Sequence, residues 1–277
     1  MSLILARRAL RRAALILMGI ALLGACAPAG VSPPAPAATT AWGGSIAAPS
    51  SSEPGNVAEA GTTGPSPTPD DGDLAGPEPE PFDMNLYRKG DFVAQYTFEW
   101  CVGASLQMAL NMTTDETRST RKDQGALWAM ARDRSFSPFG GANPRGWTAA
   151  LNDLGIGPYE LVSLATFDEA LTVAAEAIRA TKRPVGLVMW RGRHAWVMSG
   201  FESTADPREF DAFDVTGIRV HDPLYPHGSS VWGASPKPNA LVSPRTLAKQ
   251  FVLRDSTRVN LGVAPGYLLV LPVEDAA

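Results

Sequence analysis

Between Ala27 and Phe82 the chain holds 12 of its 24 prolines and not one Lys or Arg. Proline lacks the amide proton that helices and ladders need, and the accompanying Ala, Gly, Ser and Thr offer too little apolar surface to offset the entropy of ordering. Residues 26–82 are therefore expected to be a disordered tether, reaching roughly 40 Å on average as a flexible coil. Any folded core must then come from residues 83–277, enough for one good-sized domain. Ahead of the tether, Arg7, Arg8, Arg11 and Arg12 form a basic region, Ala13 to Leu22 a short apolar run, and Leu23-Gly24-Ala25-Cys26 a close of small residues. That run is too short to span a bilayer, so residues 1–25 read as a signal peptide.

Leu-Gly-Ala-Cys resembles the lipobox of bacterial lipoproteins. The resemblance implies that Cys26 is lipidated, becomes the mature N-terminus and anchors the protein outside the cytoplasm, on a cell membrane or within the cell envelope. Only two cysteines exist, so an anchored Cys26 leaves Cys101 without an intramolecular disulfide partner; a single leftover thiol in a secreted chain is either idle or reactive. Removing the signal's four arginines leaves 20 basic residues against 28 acidic ones. The mature chain is acidic, its Lys and Arg are scattered, and nucleic acid is not an expected partner.

Within the folded part, apolar residues after Cys101 (Val102, Leu106, Ala109, Leu110) recur at helical spacing. Further helices are expected over 122–133, over 144–154 with proline in the first turn, and over 166–181 with Thr166 as cap and Glu169 three residues on. The pattern then changes to short runs of Val, Ile, Leu and aromatics, read as strands over 184–190, 194–201, 217–222 and 266–271. A helix over 243–251, capped by Ser243, interrupts them. Helices first and an antiparallel sheet afterwards is an α+β plan.

The chemistry converges on Cys101. As the opening residue of a helix its sulfur meets unpaired amides and the positive end of the dipole, which favour an anion such as a thiolate. Gln95, six residues earlier, is close enough to turn its amide back as an oxyanion donor. Of three histidines, His194 starts a strand. If 194–201 and 217–222 pair as an antiparallel hairpin, Asp222 comes beside it. Parity puts Asp222 on the apolar face with Val220 and Ile218, and His221 on the other face with Arg219, exposed to solvent. Asp206, Asp211 and Asp214, on the long loop 202–216, compete with Asp222 as the acid. A zinc site from His194, His221 and His227 lacks ligand spacing.

Gln95, Cys101 at a helix start and the downstream Arg193-His194-Ala195-Trp196-Val197 resemble the papain-like cysteine peptidases. The likeness is closest to compact bacterial branches such as the double-glycine leader peptidases of bacteriocin exporters. It covers about residues 92–272 through three short motifs. It implies a papain-like fold over 83–277, with an N-terminal helical part packed on a C-terminal antiparallel sheet and a cleft between them. It also implies roles: Cys101 as nucleophile, His194 as general base and acid, Asp222 as orienting residue, Gln95 as oxyanion donor. Departures are visible. Tryptophan follows the nucleophile in papain, whereas Trp100 precedes it here; the third member there is asparagine; and Ser230-Val231-Trp232-Gly233 echoes papain's Asn-Ser-Trp-Gly with serine first.

The expected activity is hydrolysis of peptide bonds by a monomer that needs no metal or organic cofactor. Its partners are a peptide or protein substrate and the membrane. A cell-wall amidase, a deamidase or a transglutaminase-like transferase would use the same site, and a binding or scaffold lipoprotein could retain the fold without activity.

Overall fold

The computed structural model describes residues 76–135, 140–255 and 264–274. The expected signal peptide, Cys26 anchor and most of the tether lie outside these residues. Among the described residues no helix is long and apolar enough to cross a membrane.

Helix α1 (Cys101–Thr113) is the central rod: every residue from Val102 to Met112 is buried, as suits a helix packed on all sides. Helix α2 (Arg121–Asp133) begins at Thr120, whose hydroxyl accepts the Asp123 amide at 3.1 Å. It lies so close to α1 that a side chain at Gly103 would run into Trp128 and the Gln124 carbonyl. Helix α3 (Pro144–Asp153) is capped by Asn143. Helix α4 (Phe167–Thr181) starts on the expected Thr166 cap, with the hydroxyl 3.2 Å from the Glu169 amide, and ends at left-handed Lys182. Helix α5 is shorter than expected: Ser243 does cap it, but it covers only Pro244–Leu247, and residues 248–250 continue as turns.

Seven strands form one antiparallel sheet. In chain order they are β1 (Phe82–Asn85), β2 (Tyr159–Leu164), β3 (Val185–Met189), β4 (His194–Ser203), β5 (Val215–His221), β8 (Ala240–Val242) and β9 (Tyr267–Pro272); β6 (Gly228–Ser229) and β7 (Gly233–Ala234) make a separate small hairpin. The sheet order is β2-β9-β3-β4-β5-β8. Along one edge of β4, β3 pairs with residues 194–198 and β1 takes over at 200–203.

The architecture is thus α+β, but not helices followed by strands. Strand β1 precedes α1 and β2 separates α3 from α4. Both were hidden in the sequence: β1 is four residues long behind a proline tract, and only the two ends of β2 are buried.

The sheet is covered on both faces, which explains why all five residues of β3 are buried. One face, with Leu187, Met189, Trp196, Met198 and Val220, packs on the α4 stripe Leu171, Ala174, Ala175 and Ile178. The other, with Val188, Ala195, Val197 and Val270, packs on α1, α2 and α3. Fully burying a residue such as Ile178 or Leu106 stabilises by about 1.5–3 kcal/mol. Sheet and α3 meet closely at Gly186, where an added Cβ would lie 2.6 Å from the Trp147 ring and 2.9 Å from the Val270 Cβ. Gly186→Ala should therefore destabilise the domain by about 1–3 kcal/mol, read as a lower urea midpoint at unchanged slope. An unchanged midpoint would mean that sheet and α3 are not packed in this way.

Candidate active site

Three pieces of chain meet at the N-terminal end of α1. The first is the loop before the helix, fixed by a buried amide network. Gln124 Nε2 donates to Gln107 Oε1 (2.9 Å) and to the Ala94 carbonyl (3.1 Å), and Gln124 Oε1 accepts the Tyr96 amide (2.8 Å). Fully satisfied buried networks of this kind impose one geometry. The second is the chain just past β5: the Gln95 backbone amide donates to the Pro223 carbonyl at 2.8 Å, tying the loop before Cys101 to the residue after Asp222. The third is the start of β4.

Cys101 is the first residue of α1 and is half-buried. No side chain caps this helix and no acidic residue stands in its first turn, so its leading amides are available to an anion. His194 is 7% exposed and Asp222 fully buried. The ring Nε2 donates to Asp222 Oδ1 at 2.6 Å, and Oδ1 also accepts the Leu224 amide at 2.8 Å. The register explains the meeting. Val197 stands opposite His221, so Asp222 continues opposite Trp196, on the face His194 shares, one same-face step away. With Nε2 committed, Nδ1 is the nitrogen left for Cys101, whose sulfur is near enough to the imidazole to raise its pKa. Burial pushes the imidazole pKa down, but hydrogen bonds to Asp222 and Cys101, and the negative charge of both when ionised, more than reverse this and lift it to about 9.

Two of the other acids are engaged elsewhere. Asp206 takes both Nε (2.8 Å) and Nη2 (2.7 Å) of Arg179, anchoring the 202–216 loop to α4. The Asp214 amide and carbonyl pair with Thr204. His227 is exposed in the turn after β5. Among the described residues no three His, Cys, Asp or Glu side chains converge as a metal site requires.

Two expectations need correction. Gln95 stands beside the site, but its Nε2 donates to the carbonyls of Thr97 (2.9 Å) and Phe98 (3.0 Å), and its Oε1 is buried without a partner. The side chain braces the loop before Cys101 rather than offering a free donor. His221 is not solvent-facing: it is fully buried. The chain before α1 covers it, with the rings of Tyr87 and Phe92 at 4.8 and 6.3 Å. Its Nε2 meets Ser199 Oγ at 2.8 Å while Nδ1 accepts the Asn239 amide. Parity with Arg219 identified the face correctly but not what lies over it.

Sequence reasoning also missed Trp190. Its indole stacks on His194, centroids 4.1 Å apart and planes 22° from parallel, and Trp232 stacks on the same indole at 6.4 Å. The short connection 190–193 pointed to a tight turn, but not to a tryptophan folded back over the histidine.

No protein-family model matches this chain, and no curated protein is similar to it.

The two buried histidines give stability opposite pH dependences. Burial depresses His221 to about 3, so below its unfolded value of about 6.5 the unfolded chain binds a proton that the folded one refuses, and stability falls with pH. His194, raised to about 9, contributes fully below about 6.5 and loses its contribution as pH climbs through 9. Together they place the stability maximum near pH 6.5. Urea midpoints measured from about pH 5 to 10 should peak there, and His221→Gln should flatten the acid limb between about 6.5 and 5. A peak above pH 8 would contradict these assignments.

Proposed function

We propose that this chain is an extracytoplasmic, lipid-anchored thiol hydrolase with a papain-like fold, acting as a cysteine peptidase. The observation that carries the reading is one imidazole hydrogen-bonded to a buried carboxylate, with the sulfur of a helix-opening cysteine near enough to raise its pKa. Chain order supports it, with the cysteine on the helical part and the histidine and acid on the sheet.

In the proposed reaction the Cys101 sulfur, as thiolate beside the His194 imidazolium, attacks the substrate carbonyl carbon. A C–S bond forms and the carbonyl oxygen becomes an oxyanion at the leading amides of α1, the Cys101 N–H first. His194 gives its Nδ1 proton to the departing amine and the C–N bond breaks, leaving a thioester. His194 then takes a proton from water, the hydroxide displaces sulfur, and acid product leaves. Asp222 keeps the ring oriented and steadies its positive form. Gln95 can serve as a second oxyanion donor only by releasing the Thr97 or Phe98 carbonyl; otherwise its part is to hold the loop.

The test is alkylation of Cys101 by iodoacetamide and by a peptidyl epoxide at about pH 6, where an ordinary thiol is protonated, with casein and peptidoglycan digestion alongside. Wild type should label rapidly and cleave casein. Cys101→Ala should do neither, and His194→Ala should lose about 10²–10⁴-fold in both. Labelling undiminished in His194→Ala overturns the activated pair. Digestion of peptidoglycan but not casein moves the site to an amidase, and labelling without turnover to a binding role.

A further inference from the structure

Trp190, Arg191 and Gly192 follow one another in the left-handed region, with φ of 55°, 58° and 92°. Glycine accepts this freely; a bulky residue such as tryptophan is sterically disfavoured there and must be held by its surroundings. The holder is Gln250. Its backbone carbonyl accepts the Trp190 amide at 3.0 Å, and its side-chain Oε1 accepts the indole Nε1 proton at 3.0 Å. The same side chain's Nε2 donates to the Ala234 carbonyl at 3.3 Å, on the β6–β7 hairpin that carries Trp232. Leu247 and Phe251, each 1% exposed, anchor the short turn in the core and so fix Gln250 in space.

We infer that Gln250 is a positioning residue for the proposed site: it staples Trp190 and Trp232 into a stack over the His194 ring. The electron-rich indole face favours a cation over it, and the stack keeps water from the His194–Asp222 hydrogen bond. Gln250 thereby helps to hold the imidazole in its protonated form, ready beside Cys101, without touching substrate. The inference rests on the proposed Cys101–His194 pair, but not on which bond that pair cleaves.

The experiment follows the pH dependence of iodoacetamide alkylation of Cys101 in the full-length chain, with thermal melting as a check on folding. Gln250→Leu removes the side-chain staple at similar size. It should cost the thiolate–imidazolium pair about one pKa unit of stability relative to the neutral thiol–imidazole pair, and so slow alkylation near pH 6 by up to about tenfold. Gln250→Glu still accepts the indole proton and should remain within about threefold of wild type. Adding Gln250→Leu to Trp190→Leu should bring no further loss, because the glutamine acts through that ring. Should Gln250→Leu not fold, Trp190→Phe, which keeps a ring but offers Gln250 no proton, must shift the profile in the same direction. A folded Gln250→Leu or Trp190→Phe with the wild-type profile, or losses that add in the double variant, overturns the inference alone. A wild-type profile of an ordinary thiol overturns the activated pair and this inference with it.

Discussion

A fully buried carboxylate facing an almost fully buried imidazole, 2.6 Å apart, is the constraint on which the rest of this site depends. Removing one partner of such a pair leaves the other stranded in low dielectric, a cost far above that of a surface contact. The pair therefore fixes the ring's tautomer: with Nε2 turned to Asp222, Nδ1 is the nitrogen left available to Cys101. The elements around it serve that geometry. The β4–β5 register delivers Asp222 to the face of His194, and Trp190 closes the exposed side of the ring.

The helical part and the sheet are held in one arrangement by few but specific links. The Gln95 amide bonds the Pro223 carbonyl, the Ser105 hydroxyl reaches the Ala195 carbonyl at 3.5 Å, and the apolar faces of α1 and β4 are packed together. Because Gln95 lies in the loop before Cys101 and Pro223 follows Asp222, a shift of either part would be felt at both. The buried Gln107–Gln124 pair plays a similar part on either side of Gln95, holding Ala94 and Tyr96.

Much of this was legible in the residues. Helical spacing of apolar residues located the four longer helices and short apolar runs located four strands, while threonine caps and first-turn prolines marked helix starts through local preferences that need no tertiary context. Cys101, His194 and Asp222 could be singled out because histidines and cysteines are scarce and strand parity is a strict rule. What could not be read depended on contacts distant in sequence. The burial of His221 comes from Tyr87 and Phe92, more than 120 positions away. The amide of Gln95 turned to its nearest carbonyls, a choice that spacing alone does not decide. Helix α5 stops after one turn because Leu247 and Phe251 are held in the core by a chain that has already turned. The left-handed backbone of Trp190 is a strained conformation held by tertiary hydrogen bonds, which no local propensity predicts.

The measurement closest to the central claim is nitrogen-15 NMR of the His194 ring across pH, in wild type and in Cys101→Ala. The account predicts an imidazolium, protonated on both nitrogens, persisting in wild type to about pH 9, and a lower midpoint once the sulfur is gone. A neutral ring at pH 7.5 in wild type, or the same midpoint in both proteins, would contradict it.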